Sequence, residues 1–235
     1  SDAMARRGLP TLLADEGGLS PGLATGREAL ELMVESIARA GLAPGRDVTI
    51  AIDVAATALK GPAPGRYRLA LEDRELSSDA MAEMLIGWLD RYPIVSIEDP
   101  LAEDDEAGLV AFTRAVGHRV QIIGDDFLVT DAARVAAASA AGACNAVLLK
   151  PNQAGTVTET RAALEAARAA GWGTIVSARS GETEDVAIVH LSTGLNAGQL
   201  KVGSFARSER MAKWNEAVRV EETGLAFWGA AALRR

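Results

Sequence analysis

Residues 94–126 read IVSIEDPLAEDDEAGLVAFTRAVGHRVQIIGDD. Two short apolar, β-branched runs, IVSIE at 94–98 and VQIIG at 120–124, meet acidic residues at their C-terminal ends. Near-continuous apolar runs of this length mark parallel strands buried on both faces. The stretch between them, 104–117, has helical character, so the segment reads as a β-strand, a helix and a second strand of the same sheet.

The same unit recurs in both directions. Strands are predicted at 11–15 (TLLAD), 48–54 (VTIAIDV), 146–150 (AVLLK), 174–178 (TIVSA) and 199–203 (QLKVG). Helices are predicted at 25–41, 78–91, 131–141, 156–171, 183–194 and 205–218. Ser78 is placed to cap the helix that begins there, and Thr156 with Glu159 three residues on forms a capping-box pattern. Gly142 and Gly171 sit where helices end in a left-handed residue. Residues 61–67 (GPAPGRY) read as a Pro/Gly loop inside an insertion after Asp53.

Repeated βα units leave two architectures: an open, doubly wound sheet, or a closed barrel. Polar residues follow every strand: Glu16, Asp53, Glu98, Asp125, Lys150, Arg179 and Lys201. A TIM-type (β/α)8 barrel gathers its chemistry on that face, whereas an open sheet gathers it at one switch point. The expectation is therefore an α/β barrel spanning 1–235 as one domain. About seven strands are visible where eight are needed, so the barrel is expected to be incomplete in this chain. An open barrel exposes a strand edge, which implies a missing N-terminal segment or a second polypeptide that completes it.

Composition narrows the function classes. With 235 residues, 49% apolar and 24% charged, the chain resembles a globular protein and not a disordered one. No apolar run approaches membrane-spanning length, and no secretory signal is visible. A single cysteine, Cys144, gives no disulfide framework and fits a reducing compartment, so a cytoplasmic location is expected. A net charge of −8 without a basic stripe argues against nucleic-acid binding. GxGxxG after the first strand, a Walker loop and GxSxG are absent.

The strand ends carry the candidate chemistry. Asp53, Glu98 and Asp125 are hard oxygen donors suited to Mg²⁺; the alternative is three acids that cap helices or face solvent. Lys150 and Lys201 end apolar strands, where burial and a nearby metal would lower a lysine's pKa toward that of a base; the alternative is snorkelling to the surface. Glu16 lies in DEGG, which is equally compatible with a plain turn. Arg179 and Ser180 form a clamp suited to phosphate or carboxylate, unless Arg179 pairs with Glu182 or Asp185. His118 and His190 end no strand, and Cys144 reads as a buried small residue.

Taken together, DEGGLSP (15–21), AIDVAA (51–56), SIEDPLAEDD (96–105), IIGDDFLVT (122–130), LLKPNQAGTVTET (148–160), SARSGETED (177–185) and GQLKVGSFARSERMAKWNE (198–216) resemble the enolase (phosphopyruvate hydratase) family. The blocks occur in the family's order over nearly the whole chain. The resemblance implies the C-terminal barrel portion of the enolase fold, with the upstream α+β domain and the first barrel segment absent. It implies an Mg²⁺-dependent hydro-lyase of glycolysis that converts 2-phosphoglycerate to phosphoenolpyruvate through an ene-diolate. By position, Asp53, Glu98 and Asp125 match the metal ligands and Lys150 the C2 base. Glu16 matches an acid that assists the leaving hydroxyl. Arg179, Ser180 and Lys201 match substrate-binding groups. The expected partners are a small phosphorylated acid and a second copy, as a homodimer.

The departures set up competing expectations. Ala178 stands where the family carries histidine, Thr57-Ala58 where it carries Ser-Glu, and Pro151, Phe205 and Ala206 alter loops. The tail from Leu225 matches no family block. One alternative is a paralogue acting on another phosphorylated or phosphonate hydroxy acid in the room left by Ala178; another is a non-catalytic enolase-like subunit.

Overall fold

The computed structural model describes residues 2–233. In chain order the elements are α1 (Asp2–Arg6), α2 (Gly26–Arg39), β1 (Ile50–Asp53), β2 (Arg66–Leu69), β3 (Arg74–Ser77), α3 (Ser78–Arg91), β4 (Ile94–Glu98), α4 (Glu106–Val116), β5 (Gln121–Gly124), α5 (Ala132–Ala141), β6 (Ala146–Leu149), α6 (Pro151–Ala154), α7 (Val157–Ala169), β7 (Gly173–Ser177), α8 (Ala187–Gly194), β8 (Gly198–Lys201) and α9 (Ser208–Glu221). Six strands form one parallel sheet in the order β1-β4-β5-β6-β7-β8, with no reversal. An order without a reversal has no switch point, which removes the doubly wound alternative.

The sheet curls. Laid flat, its edge strands β1 and β8 would lie about 24 Å apart, at roughly 4.8 Å per strand spacing. Yet Lys201 Nζ at the end of β8 is 2.9 Å from Asp53 Oδ2 at the end of β1. The C-terminal ends of the strands therefore close on one another like a barrel mouth, as expected from the sequence.

Alternation along the strands decides which side chains enter the barrel. Ile97, Ile122, Val147, Leu149 and Val176 pack outward into the main core with Leu85, Leu109, Phe112, Val135 and Leu164 of the helices. Ile123, Ala146, Leu148 and Ile175 form a separate cluster on the opposite face. Stepping two residues at a time from this second set reaches Asp125, Lys150 and Arg179, so the period of two carries the chain from apolar interior to charged mouth.

Three local expectations are corrected. Residues 11–15 form no strand; Leu13 makes only an isolated antiparallel bridge with Leu19, and Leu12 is exposed. The insertion is a hairpin, not a loop alone: β2 and β3 pair antiparallel with Tyr67 opposite Leu76. Tyr67 is buried and anchors the hairpin, donating from its hydroxyl to Asp105 Oδ2 at 2.8 Å and accepting the Ala102 N–H at 2.9 Å. The cap of α3 is Ser77, whose side chain accepts the Ala80 N–H at 3.2 Å; Ser78 lies one residue inside. Thr156 caps α7 by accepting the Glu159 N–H, and Gly142 ends α5 in the left-handed region, both as expected.

Candidate active site

A cavity of about 400 Å³ opens at the C-terminal ends of the strands. Seven of the eight residues singled out from the sequence line it: Glu16, Asp53, Asp125, Lys150, Arg179, Ser180 and Lys201. The eighth, Glu98, is buried beneath and joins the group through Lys201.

The left wall of the site is built on β1, β4 and β8. Asp53 and Glu98 are register partners on adjacent parallel strands, so both carboxylates project from the same level of the sheet. Lys201 enters from β8 and donates to Asp53 Oδ2 at 2.9 Å and to the two Glu98 oxygens at 2.8 and 2.9 Å. Burial first, and the Asp53 charge next, push the Glu98 carboxyl up to about 8 against the opposing pull of Lys201. Burial works to lower the Lys201 ammonium, but the Glu98 and Asp53 charges outweigh it and hold it raised. Burial thus acts on Lys201 in the direction expected from the sequence, and the two carboxylates act against it. One ammonium here faces two carboxylates, so negative charge is in excess at this wall.

The opposite wall is built on β5 and β6. Lys150 Nζ forms an ion pair with Asp125 Oδ2, and both side chains are mostly buried. The other oxygen, Asp125 Oδ1, is buried with no hydrogen-bond partner among the described residues. Asp125 is held by a neighbour that sequence reasoning passed over. Asp99, one residue beyond Glu98, accepts the Asp125 N–H at 2.9 Å and the Asp126 N–H at 2.8 Å, one on each oxygen. Burial raises the Asp99 carboxyl to about 7 against those two hydrogen bonds. Asp99, Asp125 and Asp126 each offer an oxygen within 4.8 Å of the others. The Asp-Asp pair at 125–126 was the available signal for the third member.

Lys150 is fixed through its backbone. Its N–H is accepted by Thr130 Oγ1 at 2.9 Å, and the Thr130 hydroxyl also faces Gln153 Oε1 at 2.9 Å. Val129 and Thr130 lie at φ +44° and +57°, a conformation costly for β-branched residues. Strain of this kind persists where surrounding contacts over-determine it and concentrates beside functional sites.

The third wall is the loop after β7. The Arg179 guanidinium donates from Nη1 to Asn152 Oδ1 at 3.2 Å, a cavity-lining partner absent from the sequence reading. Glu182 meets Arg179 through the backbone, accepting its N–H at 3.0 Å, and so differs from the side-chain pairing considered from the sequence. Ser180 Oγ donates to Glu16 Oε1 at 3.0 Å. Glu16 is also tied to the segment after β8, because its carbonyl accepts the Ser204 N–H and lies against Gly203. Gly203 has φ +114°, and a Cβ there would stand 2.8 Å from the Glu16 carbonyl oxygen, so only glycine admits the approach. Ala178 is buried and lines the same cavity. His190 pairs with Glu216 on the surface at 3.0 Å, away from the site, and Cys144 is buried.

The donor set fits a divalent hard cation. Asp53, Glu98 and Asp125 offer only oxygen and one buried carboxylate oxygen lacks a partner, but the acids whose oxygens gather within 4.8 Å are Asp99, Asp125 and Asp126, while the Lys201 ammonium stands between Asp53 and Glu98. The group could serve acid–base chemistry on an anion held between Arg179 and the lysines.

Comparison with known proteins agrees with this geometry. The family model described as Enolase, C-terminal TIM barrel domain, matches residues 3–230. A curated relative, Enolase 1 of Desulfitobacterium hafniense (strain Y51), is 50% identical over 216 residues, which is 92% of this chain and 49% of the relative. The chain thus spans about half the length of the curated relative it matches. A curled parallel sheet with its polar groups gathered at one mouth, and a family match over nearly every residue, place this chain in the enolase family, in the part that forms the C-terminal barrel.

Proposed function

We propose that this chain carries the catalytic face of an Mg²⁺-dependent hydro-lyase that interconverts 2-phosphoglycerate and phosphoenolpyruvate. One observation supports it most: a buried Lys150–Asp125 pair, a Glu16–Ser180 contact and the Arg179 guanidinium all face one cavity. Dehydration needs a proton taken from C2 and a hydroxyl expelled from C3. Lys150 takes the C2 proton, positioned by its backbone bond to Thr130. Glu16 gives a proton to the departing hydroxyl, which leaves as water. Arg179 and Ser180 hold the phosphate, and Lys201 faces the substrate carboxylate. Asp53, Glu98 and Asp125 would hold Mg²⁺, which when bound supplies positive charge against that carboxylate and so acidifies the C2 proton.

The test is C2 hydrogen exchange of 2-phosphoglycerate in D₂O, followed by NMR with the full-length gene product. Exchange should occur in the wild type and disappear in Lys150→Ala. Exchange that survives the substitution assigns the base elsewhere.

A second reading is favoured by Ala178. A buried methyl in the cavity wall leaves room for a bulkier phosphorylated or phosphonate hydroxy acid. Under that reading, Ala178→His raises turnover of 2-phosphoglycerate; an unchanged or lower rate counts for the first. We further infer that the edges of β1 and β8 are covered in the working protein by polypeptide outside this chain. Their unpaired backbone groups otherwise form a template for association.

A further inference from the structure

α9 turns two cations inward. Arg210 and Lys213, three residues apart and so on one helix face, are both fully buried. Their main partners are backbone carbonyls. The Arg210 guanidinium donates from Nη1 to the carbonyls of Arg179 at 2.7 Å and Val202 at 3.0 Å, and from Nη2 to the Ser180 carbonyl at 2.6 Å. Lys213 Nζ donates to the Thr183 carbonyl at 2.8 Å and the Glu209 carbonyl at 3.1 Å, and pairs with Glu182 Oε2 at 3.0 Å. The other Glu182 oxygen accepts the Arg179 N–H.

Buried cations are costly unless fully paired, and apolar side chains would fill this face of α9 more simply. What the two cations achieve is specific. Residues 179–183 leave the sheet after β7, so their carbonyls lack ladder partners. A planar guanidinium fork addresses several such carbonyls in a fixed geometry, which a lysine cannot reproduce. Arg210 also reaches across the end of β8: Gly203, two residues after Lys201, leaves the space in which Arg210 and the Glu16 carbonyl both approach.

We propose that Arg210 and Lys213 are positioning residues for the anion-binding end of the cavity. They set the backbone of 179–183 so that the Arg179 guanidinium and the Ser180 hydroxyl meet the ligand's phosphate. This rests on the reading of Arg179 and Ser180 as a phosphate clamp.

The experiment uses the full-length gene product with Arg210→Lys and Lys213→Gln. It measures kcat and KM for 2-phosphoglycerate, and the affinities for inorganic phosphate and Mg²⁺ by calorimetry. Arg210→Lys should raise KM and the phosphate Kd about tenfold while kcat and the Mg²⁺ Kd change about twofold or less. Lys213→Gln, which keeps a donor for the Thr183 carbonyl, should raise both by about threefold. If Arg210→Lys does not fold, Lys213→Gln decides. Folded variants with unchanged KM and phosphate affinity overturn the proposal, as does failure of both variants to fold, which makes the pair a folding device only. A wild type that binds phosphate without turning over 2-phosphoglycerate, with the binding weakened by Arg210→Lys, keeps the positioning role and refutes the substrate. A wild type that does neither refutes both.

Discussion

Asp125 links the two halves of the site. One of its oxygens is engaged by Lys150, the other is buried and unpartnered, and its backbone is held by Asp99. Loss of a positioned general base costs about 10²–10⁴ in rate. Lys150→Ala should therefore lower kcat by about 10³ in steady-state assays, while Mg²⁺ affinity by calorimetry holds or tightens because Asp125 loses a competing cation. Asp99→Asn sets an amide NH₂ against one of two backbone N–H donors. Leaving such a group unsatisfied should cost about 1–3 kcal/mol in urea unfolding and weaken Mg²⁺ binding through the displaced 125–126 turn. Asp99 was hidden in the sequence because it reads as one more acid in IEDP. Only the turn of the chain after β5 brings two N–H groups onto its oxygens.

Strands β4 to β7 announced themselves because both of their faces are buried, and their mouth-facing residues because polar types follow each apolar run. Residues 11–15 misled for the same reason. TLLAD has strand composition, but a strand also needs a neighbour, and pairing partners are distant in sequence. The hairpin was legible in principle from Tyr67, Leu69 and Leu76 alternating with charges, but Pro and Gly at 61–65 dominated the local reading. Arg210 and Lys213 were not legible at all. Charged residues on a helix ordinarily mark a solvated face, and no local pattern shows that carbonyls of two other loops converge on them. The hairpin carries its own prediction. Tyr67→Phe removes a hydroxyl that both donates to Asp105 and accepts from Ala102 in a buried setting. It should destabilise the protein by about 1–3 kcal/mol in denaturant titration without altering KM.

The curl of the sheet is what turns eight scattered polar residues into one site, since it carries the end of β8 to the end of β1 across four intervening strands. That closure brings Asp53, Glu98 and Lys201 together and leaves an excess of carboxylate at the mouth. A cation bound only by the folded state adds about 2.7 kcal/mol of stability at a hundred times its Kd. Mg²⁺ should accordingly raise the melting temperature, and a chelator should reverse the gain. Asp125→Asn, which removes a charge without removing volume, should shrink that gain. The most direct measurement is formation of phosphoenolpyruvate from 2-phosphoglycerate, followed by ultraviolet absorbance, with the full-length gene product, Mg²⁺ and a chelator control. Turnover that requires Mg²⁺ and falls about a thousandfold in Lys150→Ala is the predicted result. Intact Mg²⁺ binding with no turnover in the wild type would contradict it and point to a different acid in the space beside Ala178.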